Sequence, residues 1–138
     1  MVTSMVRRLT LAALLLFPPA LLLAHHSFAA EFDGSRPVVL HGKVTKVDWM
    51  NPHVYIWVDV ADAGGNVTNW AVESAAPIYL ERLGWIKQSL KVGDTVTIRA
   101  YIAKDQPNLA KTDAVTLPDG RRVTTGRADD GVRATRSR

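Results

Sequence analysis

Cysteine is absent from this 138-residue chain. Its absence excludes disulfide bonds, a lipid-attachment cysteine and any metal site built on thiolates. Enzyme motifs are missing as well: there is no glycine-rich phosphate loop, no nucleophile elbow, no His-Glu-x-x-His pair and no dinucleotide-binding fingerprint. The Asp and Glu residues are scattered, and no pair is placed by sequence for acid–base chemistry. We therefore expect an ordinary apolar core, and binding rather than catalysis.

A strong charge of one sign is also missing from the part of the chain that we expect to fold. The formal net charge of the whole chain is +4, but residues 25–118 carry nine Lys and Arg against ten Asp and Glu. The positive excess lies in an N-terminal arginine pair and in six arginines from residue 119 onward. A nucleic-acid-binding surface needs Lys and Arg clustered on one face. We therefore expect no nucleic-acid partner.

The first 24 residues have the pattern of a secretory signal peptide. Arg7 and Arg8 precede an apolar run over residues 9–23, and Ala24 offers a small residue for cleavage. The run is shorter than the about 20 apolar residues of a membrane span, so we expect no stable membrane insertion after cleavage. The protein is therefore predicted to be periplasmic or secreted. A cut after Ala29 is the alternative, and it would remove the two histidines that follow Ala24.

Three strands are predicted in the first half of the remaining chain. Residues 38–49 are rich in β-branched side chains and lack helical periodicity. Residues 54–60 alternate strictly, with Val and Ile on one face and Tyr55 and Trp57 on the other. A glycine-containing hairpin turn then leads into a returning strand over residues 67–73.

After the third strand the pattern changes to a short helix and then back to strands. Pro77 suits the first turn of a helix, and Gly84 suits its end. An alternating strand is predicted over residues 96–102. Two looser strands, over residues 114–117 and 121–124, flank a Pro-Asp-Gly turn.

This order of elements predicts a mostly β fold, a small OB-like Greek-key barrel with one short helix between strands 3 and 4. An open β-sandwich is the alternative. We expect a single domain over residues 25–124 and a disordered basic tail over residues 125–138, because the tail has almost nothing to bury. Trp49, Trp70 and Trp85 are assigned to packing, with indole N–H groups that meet partners at the edges.

Two of the four histidines fall at the expected new N-terminus. After cleavage behind Ala24, His25 offers a free amine and an imidazole, and His26 adds a second imidazole and its amide. Nitrogen-rich donor sets of this kind suit Cu(II) best among divalent first-row metals. His53, which follows an Asn-Pro turn, is the candidate ligand from the folded part. The competing interpretation has no metal: the terminus is mobile and His53 caps the turn.

Aromatic residues on the second strand suggest a different binding surface. Tyr55 and Trp57 lie on its polar face, where OB-type domains stack bases or sugars. If these two side chains are exposed, we expect them to bind an envelope component or a partner protein. If the N-terminal segment or the loop after Tyr101 covers them, we expect them to pack against it instead. His41 lies in mid-strand beside Gly42, and we expect it to be a surface residue.

Four short motifs resemble those of a known family: His-His-Ser-Phe-Ala at residues 25–29, Trp-Met-Asn-Pro-His at 49–53, Gly-Trp at 84–85 and Gly-Asp-x-Val at 93–96. On these motifs the chain resembles a family of uncharacterised secreted bacterial proteins, a domain of unknown function. The resemblance implies that His25, His26 and His53 belong to the family pattern and that His41 does not. It also supports cleavage after Ala24, and it implies no activity.

Together the patterns predict an exported periplasmic binding protein that holds copper, or another metal that prefers nitrogen ligands, through His25, His26 and His53. The alternative is a metal-free OB-like interaction module that binds an envelope component or a partner protein through Tyr55 and Trp57.

Overall fold

A computed structural model describes residues 28–125 of the chain. These residues form two short helices and six strands: α1 (Phe28–Glu31), β1 (Phe32–Asp48), β2 (Tyr55–Ala61), β3 (Val67–Glu73), α2 (Pro77–Arg82), β4 (Thr95–Ala103), β5 (Leu109–Thr116) and β6 (Arg122–Thr124). The fold is mostly β, and α2 lies between the third and fourth strands, as the sequence predicts, whereas α1 was not predicted. The expected signal peptide lies outside the described residues. So do His25 and His26, which follow it, and the tail from residue 126.

All six strands belong to one sheet, in the order β3-β2-β1-β4-β5-β6. The neighbours in this order pair in antiparallel fashion, and an additional parallel pairing joins β3 to β5. Because β3 stands at one end of the order and β5 near the other, this pairing closes the sheet in a ring. The described strands thus form one closed sheet and differ from the two open sheets of a sandwich.

Strand β1 is long enough to serve two neighbours. Its residues 37–43 pair with β4, and its residues 43–48 pair with β2. Gly42 lies where the two pairings meet, and a Cβ at this position would stand 2.2 Å from the backbone oxygen of Asp59. Only glycine therefore allows β2 to approach β1 this closely. The strand begins at Phe32, earlier than the predicted start at residue 38.

The main apolar core is built from alternate residues of the strands and closed by the helical segment. Its members include Val54, Ile56 and Val58 of β2, Val96, Ile98 and Ala100 of β4, Leu80 of α2, and Trp85. The alternation predicted for β2 and for the first part of β4 is therefore confirmed. Each fully buried Val, Leu or Ile side chain among them contributes about 1.5–3 kcal/mol.

The tryptophans that pack on this core differ in how deeply their rings are buried. Trp49 and Trp70 pack partly buried against the core, in agreement with their predicted packing role. Trp85 is only 3 % exposed, and its indole Nε1 has no hydrogen-bond partner. The prediction that its N–H meets a partner at an edge is wrong, because the ring lies within the core and not at its rim.

A second, smaller cluster joins α1 to the sheet. Phe28 stacks on Phe32 with ring centroids 5.8 Å apart and meets Tyr101 edge to face at 5.5 Å. Backbone and side-chain hydrogen bonds from Lys104 to the carbonyl groups of α1 fix the helix to the end of β4. Tyr101, on the opposite face of β4 from Ile98, is buried by this segment.

The folded part extends one residue beyond its predicted end. The Thr125 side chain donates a hydrogen bond to the carbonyl oxygen of Thr112 at 3.0 Å, and its backbone N–H donates to the carbonyl oxygen of Asp113. Thr125 is fully buried, although the sequence analysis assigned it to the tail. Neither described helix has the length and apolar character needed to cross a membrane.

Candidate functional site

The strand register places a row of polar side chains on one face of the sheet. Tyr55 of β2 pairs with Glu73 of β3, Glu73 pairs with Lys111 of β5, and Lys111 pairs with Tyr101 of β4. Side chains of directly paired residues point to the same face and lie within contact distance. His53 lies two residues before Tyr55, at the entrance to β2. Five titratable residues from four strands and one turn therefore form one continuous row.

The carboxylate of Glu73 is the centre of this cluster. Its Oε1 atom accepts a hydrogen bond from Lys111 Nζ at 2.6 Å and lies 3.0 Å from His53 Nδ1. Its Oε2 atom accepts a hydrogen bond from the Tyr55 hydroxyl at 2.9 Å. Glu73 is 5 % exposed and Lys111 is 2 % exposed. Buried charges are costly unless they are paired and hydrogen-bonded, and both conditions are met here.

The remaining bonds of the cluster fix its geometry. Lys111 Nζ also donates to the backbone oxygen of Ser74 at 3.0 Å. Burial raises the pKa of the Tyr55 phenol, and the charge and hydrogen bond of Glu73 raise it further, with a smaller contribution from Glu31 in α1. Tyr55 is therefore a neutral hydrogen-bond donor at physiological pH.

The contact with Glu73 sets the orientation of the His53 ring. A carboxylate oxygen only accepts, so Nδ1 carries the hydrogen in this contact, and the lone pair of the neutral imidazole is on Nε2. The side chain of His53 is 31 % exposed, so its ring is accessible from solvent. Metal-binding histidines in proteins generally donate their other N–H to a carboxylate or carbonyl in this way. The Glu73 contact thus fixes the ring of a partly exposed histidine at the entrance to β2.

The other histidines are not part of this cluster. His41 is exposed, and its Nδ1 lies 2.9 Å from Thr97 Oγ1, which agrees with the predicted surface role. His25 and His26 precede the described residues. Within residues 28–125, no three His, Asp or Glu side chains form a group that could hold a metal ion.

The two aromatic residues of the alternative site are in contact with each other. The rings of Tyr55 and Trp57 have centroids 5.6 Å apart, and both residues are half-buried. Lys46 Nζ lies 4.5 Å from the centroid of the Trp57 ring and donates to Asp48 at 2.7 Å. One face of the Trp57 ring is thus covered by a cation, and the Tyr55 hydroxyl is held by Glu73.

Sequence reasoning missed Glu73 and Lys111. Glu73 ended a predicted strand, and Lys111 fell before the predicted start of the fifth strand at residue 114. The signal that could have found them is topological. A closed ring brings the end of β3 beside β5, so an acidic residue and a basic residue at those two places are expected to pair.

The family of this chain is shown by a match over most of its length, and not only by the four short motifs. Residues 16–111 match the model of a family of unknown function (DUF6152). The chain belongs to this family. The DUF6152 match includes all four histidines together with Glu73 and Lys111, and it ends within β5. No curated protein and no solved structure matches the chain.

Proposed function

We propose that this DUF6152 protein is an exported periplasmic metal-binding protein, and that Cu(II) is held by His25, His26 and His53. The observation that carries the proposal is the 3.0 Å contact between His53 Nδ1 and the Glu73 carboxylate. Glu73 is in turn held by Lys111 and Tyr55. A partly exposed imidazole whose other nitrogen is bound to a buried carboxylate matches the outer-shell support of metal-ligating histidines.

The proposed scaffold is a small OB-like Greek-key barrel. The cyclic strand order β1-β2-β3-β5-β4 and the position of α2 between β3 and β4 support this assignment. In such a scaffold His53 lies at the entrance to β2, where a loop side chain is supported by the rigid ends of β2 and β3.

The path of the chain supports a shared site for the three histidines. Phe28 of α1 packs on Tyr101, which is the ladder neighbour of Lys111, and Lys111 is the neighbour of Glu73. Phe28 therefore lies on the same sheet face as the Glu73 cluster. In the sequence, His25 and His26 come shortly before this segment, and we propose that they reach the same face.

The chemistry of the donors favours copper. The proposed ligands are the N-terminal amine, the His26 amide and three imidazoles, used in any subset, and the chain offers no thiolate. Nitrogen donors of this kind, together with the affinity order of the divalent metals, select Cu(II). We propose that this site serves binding rather than catalysis.

Native mass spectrometry of the protein purified from the periplasm of an exporting host tests this proposal. The mass fixes both the N-terminus and the bound metal. A chain that begins at His25 and retains one copper ion is the expected result. A chain that begins at Ala30, or a chain that begins at His25 and takes up no added copper, overturns the proposal.

Three variants assign the roles of individual residues. His53→Ala should lower copper affinity at least about tenfold, whereas His41→Ala is the matched control and should leave the affinity unchanged. Glu73 is a positioning residue, so Glu73→Gln should weaken binding by about 10–100-fold and change the nitrogen hyperfine pattern of the Cu(II) electron paramagnetic resonance spectrum. Equal losses in His41→Ala and His53→Ala would indicate non-specific copper binding.

The second candidate function is a metal-free interaction module that binds an envelope component or a partner protein. The contact between Tyr55 and Trp57 on the outer face of β2 supports it. If this is the function, the tryptophan fluorescence should change when isolated envelope fractions are added and should not change when copper is added. Quenching by copper, with no response to any envelope fraction, would exclude it.

A further inference from the structure

Four large apolar side chains are exposed on α2 and the segment that follows it. Ile78, Tyr79, Leu83 and Ile86 form this set, which we name the apolar patch, and their exposure ranges from 40 % for Leu83 to 59 % for Ile86. Single exposed apolar residues are common on protein surfaces, whereas contiguous ones mark interaction sites. The patch is one third or more exposed at every position.

The apolar patch is held on a rigid support. Leu80, within the same helix, is fully buried, and Trp85, beside Ile86, is almost fully buried. Backbone hydrogen bonds to Tyr79 and Leu80 close the last turn at Leu83. Because the neighbouring residues are fixed in the core, the patch is presented to solvent without a conformational change.

Basic residues border the apolar patch. Arg82 and Lys87 are exposed within the same segment, and Leu83 shares a surface groove with Arg121 and Arg122. Two acidic residues lie among these basic ones: Glu81 is exposed within α2, and Asp119 is bonded to Arg121 Nε at 2.7 Å. The balance of charge around the patch is therefore positive.

The sequence that follows the folded part is also rich in arginine. Thr124 lines the same groove as Leu83, and the chain continues from there with four arginines against two aspartates over residues 126–138. Most of its other residues are Gly, Ser, Thr and Ala, so this segment has too little apolar surface to cover the patch itself. A second copy of the chain would bring two positive rims together, which is unfavourable.

We propose that the apolar patch and its basic rim form a peripheral binding surface for membranes that contain anionic phospholipids. The apolar side chains would enter the interface between headgroups and acyl chains, and the arginine and lysine side chains would contact phosphate groups. An apolar surface combined with a basic rim provides the two signals that stable peripheral attachment requires. This proposal is independent of the metal site, since it uses neither His53 nor the Glu73 cluster.

Flotation with lipid vesicles tests the proposal with the full exported chain. One set of vesicles contains phosphatidylcholine and phosphatidylglycerol in equal parts, and the other contains phosphatidylcholine alone. The protein should float with the first set and remain in solution with the second. High salt should release it, because surface charge interactions are screened.

Two double variants distinguish binding through the apolar patch from non-specific adsorption to lipid. Ile78→Ser/Ile86→Ser should lower the partition coefficient at least about tenfold, because two apolar side chains no longer enter the interface. Val39→Ser/Val67→Ser removes two equally exposed apolar side chains from elsewhere on the sheet and should leave partitioning unchanged. Circular dichroism of each variant checks that the fold is retained.

Three outcomes would overturn the proposal. These are the absence of binding to either vesicle set, equal binding to both sets, and an unchanged partition coefficient in Ile78→Ser/Ile86→Ser. The absence of vesicle binding would leave an acidic protein partner as the occupant of the patch.

Discussion

The buried ion pair between Lys111 and Glu73 makes a quantitative prediction about stability. Lys111→Met removes the cation but keeps a chain of similar length and apolar character. Glu73 then remains as a buried carboxylate, because it is only 5 % exposed. Removing one partner of a buried pair typically costs about 3–5 kcal/mol, since the other charge is left uncompensated.

The neighbours of the pair decide where in that range the cost falls. Glu73 retains the hydrogen bond from Tyr55 and the contact with His53, and both reduce the penalty. The backbone oxygen of Ser74 loses its bond from Lys111, which adds about 1 kcal/mol. We therefore expect a loss of about 3 kcal/mol in the free energy of unfolding, which for a domain of this size lowers Tm by more than about 10 °C.

Urea denaturation followed by tryptophan fluorescence measures this change, and two further variants control it. Lys46→Met makes the same substitution in the exposed pair with Asp48 and should cost less than about 1 kcal/mol. Glu73→Gln/Lys111→Met removes both charges and should recover at least about 1 kcal/mol relative to Lys111→Met. A loss in Lys111→Met no larger than that in Lys46→Met, or a double variant without recovery, would refute the reasoning.

Two other predictions concern the backbone of the sheet and one of its turns. Gly42→Ala should cost at least about 2 kcal/mol, because its Cβ would collide with the backbone of Asp59, whereas Gly34→Ala meets only an ordinary contact and serves as the control in the same urea experiment. Hydrogen bonds from Asn66 lower the pKa of Asp62, so its contribution to stability is complete above the ordinary aspartate pKa and is lost as pH falls through the lowered value. The difference in urea midpoint between wild type and Asp62→Ala should accordingly shrink in acid, and a difference independent of pH would contradict this assignment.

The elements that could be predicted from the sequence are those with a regular apolar pattern. The alternation in β2 and the proline and glycine around α2 predicted these elements correctly, because a buried face and a helix terminus each leave a local signature. The first part of β1 was missed because Asp33, Gly34 and Ser35 are typical of a turn. The pairing of β1 with β4 is irregular over this part, which local pattern does not predict.

The first half of β5 was missed for a different reason. Lys111 and Asp113 are charged, yet every residue of β5 from Ala110 to Val115 is buried. The partners that make this burial tolerable are distant in sequence, since Glu73 comes from β3 and Arg99 from β4. A prediction based on hydropathy places both charged side chains in solvent. It therefore missed both the first half of β5 and the candidate site.

The Lys111–Glu73 pair also explains how the ring closes in one register. The parallel pairing of β3 with β5 spans only residues 71–73 and 109–111, so few backbone hydrogen bonds define it. A slip by one residue would place Glu73 beside Ala110 or Thr112 and separate two buried, opposite charges. Such a slip would also turn the side chains of β5 to the wrong face. The ion pair that orients His53 therefore also disfavours pairing of β3 with β5 in a shifted register. The geometry of the candidate site and the closure of the sheet thus depend on the same contact.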